Sequence, residues 1–294
     1  MSRRHELALA ISLPARRAAS ATTRLLGVHD LPACVRLAES RGWPADEEGW
    51  RQALEFGDIF GCEVDGETVG TVTLSRFGDL AVVARLVVTP DLGGQGLGHL
   101  LVREALKRAR GATVSLYATE TSRSLFGRVG FGSVGAALRL AGLAAPVDAA
   151  RVDGLRPIRA SDLTQIWALD EEAQGGLRRR LLEHGAGAAD RALVVHREGT
   201  LVGFGFAARR GVQRVLAPII AREDRDARAL AAALCEDSTE PVRLDLQPDE
   251  RALLVWARDA GLTVVESAPL MTYARARLPG RRSLVRALAG RSFG

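Results

Sequence analysis

A glycine cluster that follows a strongly apolar segment is the part of the sequence best suited to chemistry. Residues 82–88 are rich in β-branched side chains and predict a buried strand, and Gly94, Gly96 and Gly98 lead into an amphipathic helix. Glycines leave the backbone bare, so consecutive N–H groups can point at an anion beside the positive end of that helix. The spacing excludes a GxxxxGK[ST] nucleotide loop, and GxGxxG fits only if His99 takes a glycine position. The sequence therefore predicts a phosphate-binding turn of another kind.

Residues 88–98 resemble the acetyl-CoA loop of the GCN5-related N-acetyltransferases (the GNAT superfamily), whose pattern is V-x-P-x-x-[RQ]-G-x-G-x-[GA]. The positions that fall on this pattern are Val88, Pro90, Gly94, Gly96 and Gly98. Gly93 stands at the [RQ] position, which removes a side chain but leaves the backbone donors in place. A plain strand-to-helix turn can also contain Gly-x-Gly-x-Gly, but the preceding strand and proline favour the acetyl-CoA loop.

The resemblance implies acetyl-CoA as the co-substrate and assigns its contacts to two segments. The pantetheine arm would pair with the strand before the loop, and the pyrophosphate would lie against the backbone of the loop. The implied residues are Leu86, Val87 and Val88 for the arm and Gly94, Gln95, Gly96, Leu97, Gly98 and His99 for the pyrophosphate. The arm residues are expected to be core strand as well, and the two roles are compatible.

The chain differs from the family at the residue that would donate a proton to the leaving group. Relatives often end the next helix with Leu-Tyr-x-x-x-Gly-Phe and have the tyrosine hydroxyl near the sulfur, whereas this chain has Phe126, which cannot donate a proton. By the same alignment Phe126 and Thr119 are implied as CoA contacts. Ser124 and Glu120 are the polar candidates for proton handling, although Ser and Glu near a helix start are more often caps.

The composition limits the function classes. The chain has 294 residues, 47% hydrophobic and 26% charged, as expected for two soluble domains. Although the net charge is +5, Lys107 is the only lysine and the arginines are scattered without interleaved aromatics, so we expect no nucleic-acid partner. No apolar run approaches the roughly 18 residues of a membrane helix, so we expect no membrane partner. The three distant cysteines indicate reduced thiols in a cytoplasmic protein rather than disulfides or a metal site.

The order of predicted elements repeats once along the chain. The matched turn signals are Asp30-Leu31 with Asp162-Leu163, Asp65-Gly66 with Glu198-Gly199, Val88-x-Pro90 with Leu216-x-Pro218, and Gly130-Phe131 with Gly261-Leu262. Offsets between 128 and 133 residues indicate an internal duplication. After Pro218 no glycine precedes the helix and an acidic pair follows, so the second copy is expected not to bind CoA.

These patterns predict an α/β fold of the α+β type, with a mixed sheet in each of two tandem GNAT-like acyl-CoA N-acyltransferase domains. We expect a flexible extension at 1–22, a catalytic GNAT domain that binds acetyl-CoA at 23–141, and a linker at 142–154. A degenerate GNAT-like domain at 155–278 and a basic tail at 279–294 complete the predicted organisation.

The resemblance implies an acetyl-CoA-dependent N-acetyltransferase that modifies a primary amine of a small molecule or peptide, with no metal cofactor. The alternative is a catalytically silent acyl-CoA-binding or sensing protein, to which Phe126 and Gly93 lend weight. Aminoacyl transfer by a tandem relative is disfavoured, because a CoA loop is present and no tRNA-sized basic groove is evident. Trp43 and Trp50 flank the first pair of helices. Their side chains either bind an amine by cation–π contact or belong to the core. The sequence does not distinguish a monomer from a homodimer.

Overall fold

The computed structural model describes residues 20–147 and 152–294, so the predicted extension at 1–22 lies almost wholly outside the described residues. The contacts of the chain divide it into two units, one comprising residues 1–75 and 83–110 and the other residues 76–82 and 111–294. The units do not coincide with the two sequence repeats, because the last part of the first repeat belongs to the second unit.

The described residues form helices and strands along both repeats. The helices are α1 (Leu31–Glu39), α2 (Glu47–Phe56), α3 (Leu97–Arg108), α4 (Glu120–Val129), α5 (Leu163–Gln174), α6 (Arg179–Ala188), α7 (Asp224–Cys235) and α8 (Arg251–Asp259). The strands are β1 (Thr22–Leu26), β2 (Gly57–Val64), β3 (Glu67–Phe77), β4 (Leu80–Val88), β5 (Thr113–Tyr117), β6 (Phe131–Gly142), β7 (Leu155–Pro157), β8 (Arg191–Arg197), β9 (Thr200–Arg210), β10 (Gln213–Ala221), β11 (Val242–Leu246), β12 (Thr263–Tyr273) and β13 (Val285–Ala287). The predicted mixed α/β class is confirmed.

The first unit places α1 and α2 against a sheet with the order β1-β2-β3-β4. Asp46 caps α2 by accepting a hydrogen bond of 2.9 Å from the N–H of Gly49. The predicted hairpin turn at Asp65-Gly66 joins β2 to β3, and both residues have the positive φ that such a turn requires. Trp50 is only 1% exposed and packs in the core beneath the two helices. This unit therefore carries the glycine loop on a well-packed base.

The second unit has a sheet with the order β5-β12-β6-β11-β10-β9-β8-β7. The tip of the β3–β4 hairpin also belongs to this unit, where Leu80–Val82 pair in parallel with β5. One core packs α7 and α8 against the sheet, and a second core lies around α5. Helices thus cover both faces of the sheet, as expected for an α/β layer fold.

The final strands of the two repeats are exchanged. Strand β6 comes from the first repeat, but both of its neighbours, β11 and β12, come from the second. Strand β12, the last strand of the second repeat, in turn lies between β5 and β6 of the first. Each repeat therefore completes its sheet with the last strand of the other, which explains why residues 111–142 belong to the second unit.

Side-chain contacts support the internal duplication. In the first repeat Arg24 forms a bidentate ion pair with Asp30, and in the second Arg156 forms the same pair with Asp162. Each carboxylate also accepts a hydrogen bond from the backbone N–H three residues earlier. Both members of the pair are displaced by 132 residues, from 24 to 156 and from 30 to 162, within the range of the turn signals.

The Asp162 carboxylate should make stability dependent on pH. Its side chain is 4% exposed, and the hydrogen bonds from Arg156 hold its pKa at about 2. A carboxyl with a lowered folded pKa stabilises the fold above its unfolded pKa, near 3.8, and this contribution disappears as the pH falls through about 2. We expect Asp162→Asn to lower the free energy of unfolding at neutral pH by on the order of 2 kcal/mol. The difference from wild type should shrink between about pH 4 and pH 2 in denaturant unfolding, and a difference independent of pH would contradict the assignment.

The segment predicted as a basic tail, residues 279–294, contains ordered structure. It forms a 3-10 turn at Arg282–Leu284 and then β13, which pairs with β10. Leu284, Val285, Ala287 and Leu288 are buried in the cores of the second unit. The arginines of the segment mask this apolar pattern in the sequence.

The cysteines are free thiols, as predicted, and burial raises the pKa of Cys34 to about 11 and of Cys235 to about 12. Across residues 20–147 and 152–294, no group of three or more metal-ligating side chains is placed to hold an ion. The helices found in these ranges are all too short or too polar to cross a membrane.

Candidate functional site

The predicted phosphate loop lies between β4 and α3 in the first unit. A 3-10 turn at Pro90–Leu92 follows the strand, and Gly94 and Gly96 have φ angles of 77° and 86°. A Cβ built on either glycine would meet no atom within 4 Å. Packing leaves room for a side chain at both positions, so the left-handed backbone conformation is the feature that favours glycine there.

Three backbone donors at the N-terminus of α3 lie outside the hydrogen-bond ladder of the helix. Gly96 is its N-cap and has no side chain to cap the helix. The first hydrogen bond of the α-helical i to i−4 pattern is donated by the N–H of Leu100 to the carbonyl oxygen of Gly96, at 3.1 Å. The N–H groups of Leu97, Gly98 and His99 therefore precede the helical hydrogen-bond ladder at the positive end of a twelve-residue helix. Leu97 is only 3% exposed, so its side chain belongs to the core rather than to an anion site.

Gln95 adds a polar group beside these donors. Its Oε1 atom is buried and has no hydrogen-bond partner among the described residues. Six of the residues implied by the family resemblance, 94 to 99, thus lie in one turn whose backbone suits a pyrophosphate.

The direction of the β4 backbone distinguishes the three residues implied for the pantetheine arm. The N–H of Thr89 donates to the carbonyl oxygen of Val69 at 2.8 Å, so Thr89 faces β3. Because backbone groups alternate along a strand, the N–H groups of Val88 and Leu86 point away from β3. Arg41 confirms this direction, since its Nε donates to the carbonyl oxygen of Val88 at 2.8 Å.

Val87 differs from its two neighbours. By the same alternation its backbone faces β3, and its side chain is only 3% exposed. The ladder between β4 and β5 covers Leu80–Val82, and within the described ranges no strand pairs with the outer edge of residues 83–88. The edge that carries Leu86 and Val88 is therefore suited to an added strand-like ligand, whereas Val87 serves the core.

Arg85 is a feature of this strand that the sequence analysis missed. It has a φ of 48° in the middle of β4, and its Nη2 atom donates to Asp46 at 2.8 Å. Its guanidinium lies 4.8 Å from the ring centre of Trp50. A Cβ on Gly49 would lie 2.2 Å from Arg85 Nη2, so the bare helix backbone makes room for the cation. In the sequence, the available signal for a special role of this residue was that it is the single charged residue of an otherwise apolar strand.

The two tryptophans have different environments. Trp50 is a core residue whose ring is already contacted by Arg85, whereas Trp43 is 37% exposed. Of the two, only Trp43 has a surface that a ligand could contact.

The remaining predicted site residues lie on or beside α4, in the second unit. Thr119 is the N-cap of this helix and accepts a hydrogen bond from the N–H of Ser122 at 3.2 Å, so the cap uses Thr119 and Ser122. Glu120 and Ser124 are exposed on the first turns. Phe126 is 4% exposed and packs edge-on against Phe131, with ring centres 5.7 Å apart.

The second repeat has no counterpart of the glycine loop. Strand β10 leads to α7 through two residues, and the first turn of α7 contains Asp224 and Asp226. Both carboxylates are paired, Asp224 with Arg286 at 2.7 Å and Asp226 with Arg197 at 3.0 Å. The start of α7 therefore carries ion-paired carboxylates where α3 follows bare glycine backbone.

Strand β13 occupies the edge of β10 that corresponds to the outer edge of residues 83–88. The parallel ladder between β10 and β11 covers Arg214 and Val215, and farther along β10 the strand β13 pairs at Ile219 and Ile220. Arg286 on β13 also donates to the carbonyl oxygen of Ala221 at 3.0 Å. In the second repeat this backbone edge is therefore filled by the chain itself.

Comparison with known families agrees with this architecture. Residues 28–131 match the acetyltransferase (GNAT) family, and residues 166–286 match an acetyltransferase (GNAT) domain. The protein belongs to the GNAT family and is a tandem GNAT-type acetyltransferase, as the sequence predicted. No curated protein matches the chain.

Several solved structures share the tandem fold. A protein from Pyrococcus horikoshii, named provisionally as an acetyltransferase, has a TM-score of 0.79 at 18% identity, over 93% of this chain and 96% of that one. A tandem GNAT protein from the clavulanic acid biosynthesis pathway has a TM-score of 0.63 at 15% identity, over 88% of this chain and 100% of that one. A GCN5-related N-acetyltransferase from Sphaerobacter thermophilus has a TM-score of 0.62 at 19% identity, over 88% and 96% of the two chains. At these identities the likeness is one of fold.

Proposed function

We propose that this protein transfers the acetyl group of acetyl-CoA to a primary amine of a small molecule or peptide, and that only the first repeat binds the co-substrate. The observation that supports this most directly is the contrast between the repeats. The first has an open glycine turn at a helix N-terminus and a strand edge with which no other described strand pairs, whereas the second has an acidic helix start and an edge paired with β13. The proposal includes a cytoplasmic location, where three free thiols stay reduced.

Backbone N–H groups of the first repeat would make most of the contacts with acetyl-CoA. The N–H groups at the start of α3 bind the pyrophosphate, and the outward N–H groups of Leu86 and Val88 align the pantetheine arm along β4. An outward N–H of this strand edge also stabilises the negative charge that develops on the acetyl oxygen. The amine nitrogen then forms a bond to the acetyl carbon, the carbon–sulfur bond breaks, and CoA leaves as a thiolate. The proton lost by the amine goes to water or to the thiolate.

The silent acyl-CoA-binding alternative has one specific observation in its favour. Phe126 stands where relatives have a tyrosine, is buried, and has no hydroxyl to donate a proton to the leaving sulfur. A thiol is a far stronger acid than an alcohol, so departure of the thiolate does not require such a donor. We therefore place transfer ahead of silent binding.

Product formation by the full-length protein separates the two functions. Acetyl-CoA is mixed with the protein and a panel of amines, including amino acids, polyamines, amino sugars and peptides with free N-termini, and CoA and acetylated products are measured by mass spectrometry. We expect CoA release that depends on one class of amine and yields the acetylated amine in equal amount. Saturable binding of acetyl-CoA without turnover on any amine would instead support the silent function.

A further inference from the structure

The second unit contains a cavity of about 890 Å³ that the proposed acetyl transfer does not use. It lies where β11 ends and is lined partly by exposed positions of β6 and partly by residues 275–283. That segment contributes four arginines to the wall: Arg275, Arg277, Arg281 and Arg282. Asp249 is the one acidic residue among the described lining residues. The cavity therefore has a clear excess of positive charge.

The two outermost arginines have no carboxylate partner. About half of the described arginines of this unit form ion pairs with carboxylates, for example Arg139 with Asp245 and Arg286 with Glu250. Arg275 and Arg277, by contrast, are exposed and form no ion pair with any residue in the described ranges. Their charges are thus available to a ligand.

The backbone of β6 leaves room for one of these side chains. A Cβ on Gly132 would lie 2.3 Å from Cγ and 2.6 Å from Nε of Arg275. The arginine side chain therefore lies across bare strand backbone, in a position that any other residue at 132 would obstruct.

Arg282 forms the inner end of the charged wall. One of its Nη atoms donates to Gln174, but its Nε is buried and has no partner among the described residues. Burial and the nearby charge of Arg178 lower the pKa of Arg282. An anion in the adjoining cavity would stabilise such a buried positive charge.

From these contacts we infer that the cavity binds a small organic anion with at least two negative charges. Guanidinium groups bind phosphate and carboxylate groups in paired hydrogen bonds, and three of them, on Arg275, Arg277 and Arg282, line one cavity. Val134 and Leu270, also in the lining, offer apolar surface to the rest of the ligand. The volume lies within the range of sites for small molecules of nucleotide size. The site belongs to the second unit and is independent of the acetyl-CoA loop.

Isothermal titration of the full-length protein with inorganic pyrophosphate and with citrate tests this site and shows which anionic group it prefers. We expect at least one of the two probes to bind, and the double variant Arg275→Gln/Arg277→Gln to weaken that binding by tenfold or more. Loss of two exposed, unpaired arginines should leave the thermal unfolding temperature unchanged. The matched control is Arg225→Gln/Arg258→Gln, which removes two exposed arginines from other surfaces of the same unit and should bind the probe as wild type does.

Because the glycine loop is itself an anion site, Gly96→Glu is titrated in parallel. Probe binding retained in Gly96→Glu and lost in the Arg275/Arg277 variant supports the cavity, whether or not the protein transfers acetyl groups. Probe binding lost in Gly96→Glu and retained in the arginine variant would place the anion in the first repeat and overturn the inference. Absence of binding of both probes at millimolar concentration would overturn it as well.

Discussion

Replacing Gly96 by glutamate is expected to weaken the binding of acetyl-CoA by more than tenfold, or about 1.4 kcal/mol. The new carboxylate would project from the N-cap of α3 into the space proposed for the pyrophosphate, where like charges would repel and the Cβ would block the approach to the backbone. No protein atom lies within 4 Å of that Cβ, so the loss would come from the ligand site rather than from packing. Isothermal titration with acetyl-CoA measures the change.

Two controls separate charge from backbone strain. Gly96→Ala places a residue with a Cβ in the same left-handed conformation, which costs roughly 1–2 kcal/mol of stability, but it adds no charge. Gly66 also has a positive φ, 81°, and open space around its Cβ, so Gly66→Glu adds equal strain and charge at a hairpin turn of the same unit. We expect near wild-type affinity from Gly66→Glu and an intermediate value from Gly96→Ala. Unchanged affinity in a folded Gly96→Glu protein would exclude the glycine loop as the CoA site.

Separating the two repeats should abolish folding of the first. A fragment of residues 1–147 keeps β6 but loses both of its neighbours, β11 and β12. Two of the buried side chains of β6, Ala137 and Leu140, pack in cores built largely from the second repeat. Unpaired strand edges beside exposed apolar surface promote aggregation. We therefore expect this fragment to be insoluble, and sedimentation and solubility assays after expression measure it.

Co-expression provides the control for the fragment. Residues 1–147 and 152–294 produced together should associate through the exchanged strands and purify as one soluble complex that binds acetyl-CoA. A fragment of residues 1–147 that is monomeric, with a cooperative unfolding transition of its own, would contradict the structural dependence of the first repeat on the second.

Local sequence patterns were sufficient to predict most elements and the glycine loop. The Asp65-Gly66 turn and the strand before Gly94 are each specified by a few adjacent residues, and both lie where predicted. The duplication was equally visible, because turn residues recur at a nearly constant offset.

The exchange of β6 and β12 could not be predicted in this way. Strand pairing between residues more than a hundred positions apart depends on which edges are free, and the alternation within β6 is the same in either arrangement. The positive φ of Arg85 was missed for a related reason, since its partner Asp46 lies 39 residues away. The predicted domain limits followed the repeats, whereas contacts assign residues 111–142 to the second unit.

The β13 strand also sets the conditions under which the second repeat could bind any strand-like ligand. Residues 274–284 tether β13 to β12, so β13 faces the edge of β10 at an effective concentration on the order of millimolar or higher. The concentration of a free ligand of equal intrinsic affinity must exceed this effective concentration before the ligand can displace β13 and pair at Ile219 and Ile220. We therefore expect the edge of β10 to stay paired with β13 at micromolar concentrations of a ligand of equal intrinsic affinity, independently of the carboxylates at the start of α7.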